Sequence, residues 1–342
     1  MNGIVHTGSE SVEIREFAEP SPGAGEVLVR IGAAGLCGSD ANAYLYEEAY
    51  EFVPLPRIMG HEYAGTVVEV GSDVTGVSEG DRVVERPVHE CGHCFQCRND
   101  QENVCRNFDI VGMHGDGAYT DYRVTRPEYL VPVPDDVSLE HAAITEPTSV
   151  AARAVNRSGL QSGDDVLVEG PGPIGVLAAA IADGAGADVT VSGLGVDAEA
   201  RLPLVEDLGI RTINVEESDL AERAAELTAG DGFDAVIDAT GHETGVEVGA
   251  EHVRKGGTVL VVGIPDGTST LYFPDIVRGE IDVKSSYASL PADFQQALRL
   301  MEDGVVDPAA IIDRSYSRAD PEAAITDFLA SKTVKPVFDF EG

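Results

Sequence analysis

The chain has 342 residues, 43% of them hydrophobic, which is enough for two domains that each bury a core. Its 60 acidic residues against 23 basic ones give a formal net charge of -37, which argues against nucleic acid and anionic membrane as partners. No apolar run reaches the roughly 18 to 20 residues that cross a bilayer, and Met1-Asn2-Gly3-Ile4-Val5-His6 lacks a secretory pattern, so a cytoplasmic protein is expected.

In chain order, the first 85 residues read as short strands. Val27 to Ile31, Ala64 to Gly71 and Arg82 to Val84 are β-branched runs punctuated by glycine, a barrel-like pattern with no βαβ alternation. A cysteine-rich lobe follows, then extended segments at 118–124 and 129–134 and an apolar helix from Ala142 to Ala154 that carries Glu146. From about residue 163 the pattern becomes strand, glycine turn, helix. Asp165 to Glu169, Ala187 to Val191, Ala235 to Ala239, Gly257 to Gly263 and Ile281 to Ser285 read as strands, with helices at 174–182 and 201–208. Such alternation implies a parallel sheet covered on both faces. A helix at 292–304 and extended pieces at Ile311-Ile312 and Lys335 to Phe340 resume the β-rich type. The expected fold is α/β: a β-barrel domain over 1–152 with a lobe at about 88–108, a doubly wound domain over 153–286 inserted into it, and a C-terminal return over 287–342.

The acids are scattered and there are only four lysines, Lys255, Lys284, Lys332 and Lys335. This composition resembles proteins of salt-accumulating halophiles, where high salt screens the self-repulsion of an acidic surface.

Three constellations carry chemistry. Gly60-His61-Glu62 follows Cys37 by 24 residues and precedes Glu146-Pro147. Thiolate, imidazole and carboxylates in that order can hold one zinc ion and leave room for water or substrate. Four of the five cysteines, Cys91, Cys94, Cys97 and Cys105, are spaced C-x2-C-x2-C-x7-C. Four thiolates can close a tetrahedral shell around a structural zinc; four free thiols, two disulfides or an iron-sulfur cluster are the alternatives. The third is Gly170-Pro171-Gly172-Pro173-Ile174-Gly175, directly between a strand and a helix. The first glycine makes the turn, the second admits a pyrophosphate, the third lets helix and strand pack closely, and the phosphate sits at a helix N-terminus. Gly193, Arg201, Gly263 and Ile264 complete the expected dinucleotide contacts. No carboxylate ends the strand near Val191, and Arg201 follows, so NADP is favoured over NAD unless Asp197 or Glu199 folds back onto the ribose.

With Cys37-Gly38-Ser39-Asp40, Gly60-His61-Glu62, the Cys91 to Cys105 lobe, Glu146-Pro147 and Gly170 to Gly175 in this order, the whole chain resembles the zinc-dependent medium-chain dehydrogenase/reductase family, most of all its sorbitol (polyol) and threonine dehydrogenase branch. The resemblance implies a GroES-like barrel domain, a Rossmann coenzyme domain, an active site between them and two zinc ions per chain. It places catalytic zinc on Cys37, His61 and Glu62, with Glu146 as a fourth ligand or a partner of the zinc-bound water. It implies hydride transfer between NADP or NAD and a secondary alcohol, a polyol or sugar first and threonine or a diol as the alternative, in a homodimer or homotetramer. A nucleotide-binding relative without zinc catalysis is the reading of another class. Ser39 matches the position that hydrogen-bonds the alcohol and starts a proton relay, or else is a turn serine. Many relatives carry histidine where this chain has Asn42, and an amide cannot exchange a proton in this pH range. His89 and His114 are expected to be surface or packing histidines, and Tyr44, Tyr50 and Phe108 to line either pocket or core. A sugar phosphate would need Arg57, Arg86 or Arg123 in a basic pocket.

Overall fold

The computed structural model describes residues 1–265 and 267–340. Its centre is the strand Val27–Gly35, which uses both edges. Along one edge it pairs antiparallel with Glu62–Val70; along the other, Val27 to Arg30 pair with Tyr122–Thr125 and Ala33 to Gly35 with Pro336–Asp339. Arg82–Glu85 and Leu130–Pro132 extend the sheet on one side and Arg314–Ser317 on the other. A smaller sheet of Asn2–Gly8, Ser11–Glu16 and Arg57–Ile58 lies beside it. Val29, Ile31, Tyr63, Val67, Tyr119 and Phe338 fill the core between them.

The cysteine lobe is closed at its base by a two-stranded pairing of Val88–His89 with Asp109–Ile110. Above it Glu85 is fully buried, accepting from Tyr63 Oη and Arg123 Nε at 2.6 Å and lying 3.0 Å from His89 Nε2. Burial disfavours its charge, but the Arg123 guanidinium and His89 hold its carboxyl down to about 2.

Six parallel strands form the second unit, in spatial order Arg211–Asn214, Asp188–Gly193, Asp165–Glu169, Phe233–Asp238, Val253–Val261, Asp282–Ser285. The first strand in the chain is central, and the chain winds outward on one side before crossing to the other, leaving a crevice beyond its C-terminal end. The α/β fold class expected from sequence is the one observed.

Several local expectations change. The strand begins at Tyr122; before it Ala118 and Tyr119 donate to the Gly60 and Met59 carbonyls, and Thr120 makes an isolated bridge with Gly3. Ile311 ends a short helix, Pro308–Ile311, because Asp307 caps it and Pro308 opens it; the following strand starts at Arg314. The helix Pro291–Glu302 packs against Thr145–Ser158, with Arg153 on Asp293, and Phe294, Leu298 and Met301 share a core with Leu177 and Val191. Pairing with the barrel sheet resumes at the strand Arg314–Ser317.

Candidate active site

Register builds the site. Gly35 pairs with Glu62 across the barrel, so Cys37, two residues beyond, arrives beside His61 and Glu62. A Cβ at Gly35 would lie 2.3 Å from Glu62 Oε2, so a larger residue here would displace the Glu62 carboxylate. Gly60 has φ +90° and would drive a Cβ into the Tyr119 ring at 2.3 Å. The two glycines let strands and ring close on the Gly60-His61-Glu62 turn.

Donor atoms of Cys37, His61 and Glu62 lie within 4.8 Å of one another. Glu62 Oε1 is buried without a hydrogen-bond partner, the condition of an atom whose partner is a cation. These residues fit a zinc ion with an open position. Glu146 opens the helix Thr145–Ser158 and is half-buried alongside. Burial pushes its carboxyl up to about 7; His61 and Lys335 pull it back and Glu62 pushes it further. Ser39 Oγ is 3.5 Å from His61 Nε2. Tyr50 is pushed up to about 12 by burial and then by the Cys37 charge, and Tyr287 is raised by burial and then by Glu146, so both phenols lie within electrostatic reach of the site. Tyr44 instead packs in the barrel core near His6, and Phe108 sits edge-on to His114.

Sequence reasoning missed a second layer. Asp40 is fully buried, 3.6 Å from His61 Nδ1, and accepts from Tyr119 Oη at 2.8 Å. Burial opposes a charge on His61, yet Asp40 and Cys37 outweigh it and raise its pKa well above the ordinary value. Lys335, completely buried, donates to Glu62 and, at 2.9 Å, to the Leu36 carbonyl. Asp313 holds the segment that presents it, accepting from Thr333 Oγ1 and from the Val334 and Lys335 N–H groups. The available signal was a lysine within the apolar run Val334 to Phe338 of a chain with four lysines.

Cys91, Cys94, Cys97 and Cys105 sulfurs also fall within 4.8 Å of one another. Cys94 lies 3.4 Å from Cys97 and 3.8 Å from Cys105, far beyond a disulfide bond and suited to a shared cation. Cys91 and Asn107 N–H groups donate to Cys105 Sγ, and those of Cys97 and Arg106 bring the Cys94 thiol down to about 6.

At the crevice, Gly170 has φ +92° and Gly175 would put a Cβ 1.8 Å from the Gly170 carbonyl oxygen. Gly172, which opens the helix Pro173–Gly184, has open space where its Cβ would be, a cradle for a phosphate. Gly263 packs against the Gly241 backbone, and Ile264 beside it is exposed. Gly193 closes its strand against Leu202 and Pro171. Arg201 is not at the strand end. Its guanidinium donates to the Thr333 and Phe328 carbonyls and to Asp197, because its helix packs on the C-terminal segment. Asp197 is buried and accepts the Leu194 N–H. Arg57, Arg86 and Arg123 are paired with Asp116, Glu90 and Glu85 and form no basic pocket. His89 stacks on Tyr129 at 3.7 Å, as expected of a packing residue.

A barrel joined to a doubly wound sheet, a cysteine-histidine-glutamate site and a dinucleotide turn define a metal-dependent dehydrogenase. The alcohol dehydrogenase GroES-like domain family matches residues 23–135 and the zinc-binding dehydrogenase family residues 173–303. A sorbitol dehydrogenase of Halalkalibacterium halodurans is 33% identical over 340 residues, covering 98% of each chain. An L-threonine 3-dehydrogenase of Shewanella woodyi is 33% identical over 311 residues, covering 90% of each. Among solved structures, a zinc-binding dehydrogenase of Sinorhizobium meliloti bound to NADP superposes with a TM-score of 0.92 at 27% identity, covering 99% of this chain and 98% of that one. The chain belongs to the zinc-dependent medium-chain dehydrogenase/reductase family.

Proposed function

We propose that this chain interconverts a secondary alcohol of a polyol or sugar and its ketone, passing hydride to and from a nicotinamide dinucleotide. The observation that carries this reading is the convergence of Cys37, His61 and Glu62 donors, beside Glu146, on the helix that packs across the parallel sheet. When bound, zinc polarises the alcohol oxygen and the nicotinamide exchanges the hydride. Asp40 holds the His61 ring, Lys335 offsets the Glu62 charge, and Ser39 lies where it can hydrogen-bond the alcohol and take its proton. Asn42 is an amide that does not exchange a proton in this pH range, so no relay from Ser39 runs through it. Tyr50 and Tyr287, within electrostatic reach of the site, offer phenol groups that suit a polyhydroxylated chain better than an apolar one. Cys91, Cys94, Cys97 and Cys105 hold a second, structural zinc.

A set of reduced thiols fits a reducing compartment, and we assign the chain to the cytoplasm. No helix among the described residues is long and apolar enough to cross a membrane. The free edge strand Asp282–Ser285 carries exposed Val283, with Tyr272, Phe273 and Val277 exposed nearby. That edge suits a second copy of the chain in a two-fold dimer.

The test is metal content together with a substrate panel of polyols, aldoses, diols and threonine, run at molar salt with both cofactors. Two zincs per chain and turnover of polyols or aldoses are expected; one zinc and no turnover would identify a nucleotide-binding relative. Cys37→Ser should abolish turnover, and unchanged turnover would refute the site.

A further inference from the structure

In a sheet of this topology the adenosine ribose sits beyond the end of the strand next to the glycine turn, here Asp188–Gly193. That strand ends without a carboxylate, but its neighbour delivers one. Arg211–Asn214 runs parallel with Gly193 opposite Asn214, and the Val215 N–H donates to the Gly193 carbonyl at 3.0 Å. The chain then turns on Asn214 Oδ1, which accepts the Glu216 N–H at 3.1 Å. This turn brings Glu216 Oε2 back across the strand end, where it accepts the Gly195 N–H at 3.1 Å. A Cβ at residue 195 would lie 2.3 Å from that oxygen, so the glycine keeps the carboxylate's seat open. Amides just past such a strand end are the donors that a ribose 2'-phosphate would use. Here the Gly195 amide is already taken by an anion of the chain itself.

The surrounding charge agrees. Residues 194–200 contain no lysine or arginine, and Arg201 is held by Thr333, Phe328 and Asp197. The corner presents Glu216, exposed to solvent, with no free cation from this loop to balance it.

We propose that Glu216 sets cofactor selectivity, accepting a ribose 2'-hydroxyl and repelling a 2'-phosphate, so that the chain prefers NAD to NADP. The inference rests on the dinucleotide reading above and replaces the NADP preference that the sequence suggests. Asp and Glu at the strand end do this in the general motif; in this chain the carboxylate comes from the next strand.

The test titrates the zinc-loaded protein with NADH and with NADPH, following nicotinamide fluorescence without substrate, for wild type, Glu216→Gln and Glu216→Lys in one buffer. Wild type should bind NADH about tenfold or more tightly than NADPH, the size expected for one close like-charge contact. Glu216→Gln should narrow the ratio about tenfold, chiefly through NADPH, and Glu216→Lys should reverse it. A wild-type preference for NADPH, or a ratio unmoved within about twofold in both variants, would overturn the proposal while leaving the dehydrogenase reading intact. If neither nucleotide binds wild type, the dinucleotide reading falls and this one with it. Glu216 is exposed and outside the hydrophobic cores, and equal melting temperatures of the three proteins would show that the ratio reports recognition.

Discussion

Glu169→Gln should make this protein progressively more stable than wild type as pH rises. Glu169 ends the strand before Gly170, is 3% exposed, and has an Oε2 without a partner. Its side chain reaches the Gly245–His252 helix, where a Cβ at Gly249 would lie 3.3 Å from that oxygen. Asp238, opposite it on the next strand, is 2% exposed. Burial, and then Asp238, push the Glu169 carboxyl up to about 9 from an ordinary 4.5. The folded chain therefore keeps a proton that the unfolded chain releases above pH 4.5. The contribution of Glu169 to stability is whole below that pH, falls as pH rises, and levels off above about 9. At about 1.4 kcal/mol per pH unit, the loss reaches about 3 kcal/mol at neutral pH. Glutamine carries no proton to lose and fills nearly the same volume. Urea unfolding in molar potassium chloride, compared for the two proteins between about pH 5 and about pH 8, should show the variant's advantage growing by up to about 4 kcal/mol. Asp238 is raised by the same burial, so part of the slope survives in the variant. A difference that stays flat with pH would refute the reasoning.

Three other perturbations are informative. Lys335→Met leaves the Glu62 carboxylate buried without its cation, and in metal-free protein it should cost about 3 to 5 kcal/mol, read from chemical unfolding; an unchanged midpoint would contradict the pairing. Gly175→Ala forces a Cβ against the Gly170 carbonyl, so NADH affinity should fall about tenfold or more in a fluorescence titration, and wild-type affinity would mean the turn is not the phosphate cradle. With a net charge of -37, the melting temperature should climb steeply from low to molar salt, and a flat profile would remove the argument for a salt-adapted surface.

The turn at Gly170 and the close approach at Gly175 were legible because each is a steric requirement of a local strand-turn-helix unit, and the observed φ and contact meet it. The cysteine lobe was legible for the same reason: four donors within fifteen residues can meet without help from distant chain. The barrel strands were found where β-branched residues alternate with glycine, but Asn2–Gly8, Ser11–Glu16 and Arg211–Asn214 were missed, being short or mixed in composition.

What the sequence determined by itself is the family and the fold class, and it named Cys37, His61, Glu62 and the four lobe cysteines, whose donor atoms the structure gathers, since motif spacing and periodicity are local properties of the chain. Tertiary structure decided which charges face one another. Arg201 looks free in sequence, but its helix packs on the C-terminal segment and its donors are used there. Glu216 looks like one acid among 60, yet strand pairing returns it to the ribose corner. Lys335 meets Glu62 across 273 residues. The field at a site is a sum over three-dimensional distances, and sequence separation does not contain those distances.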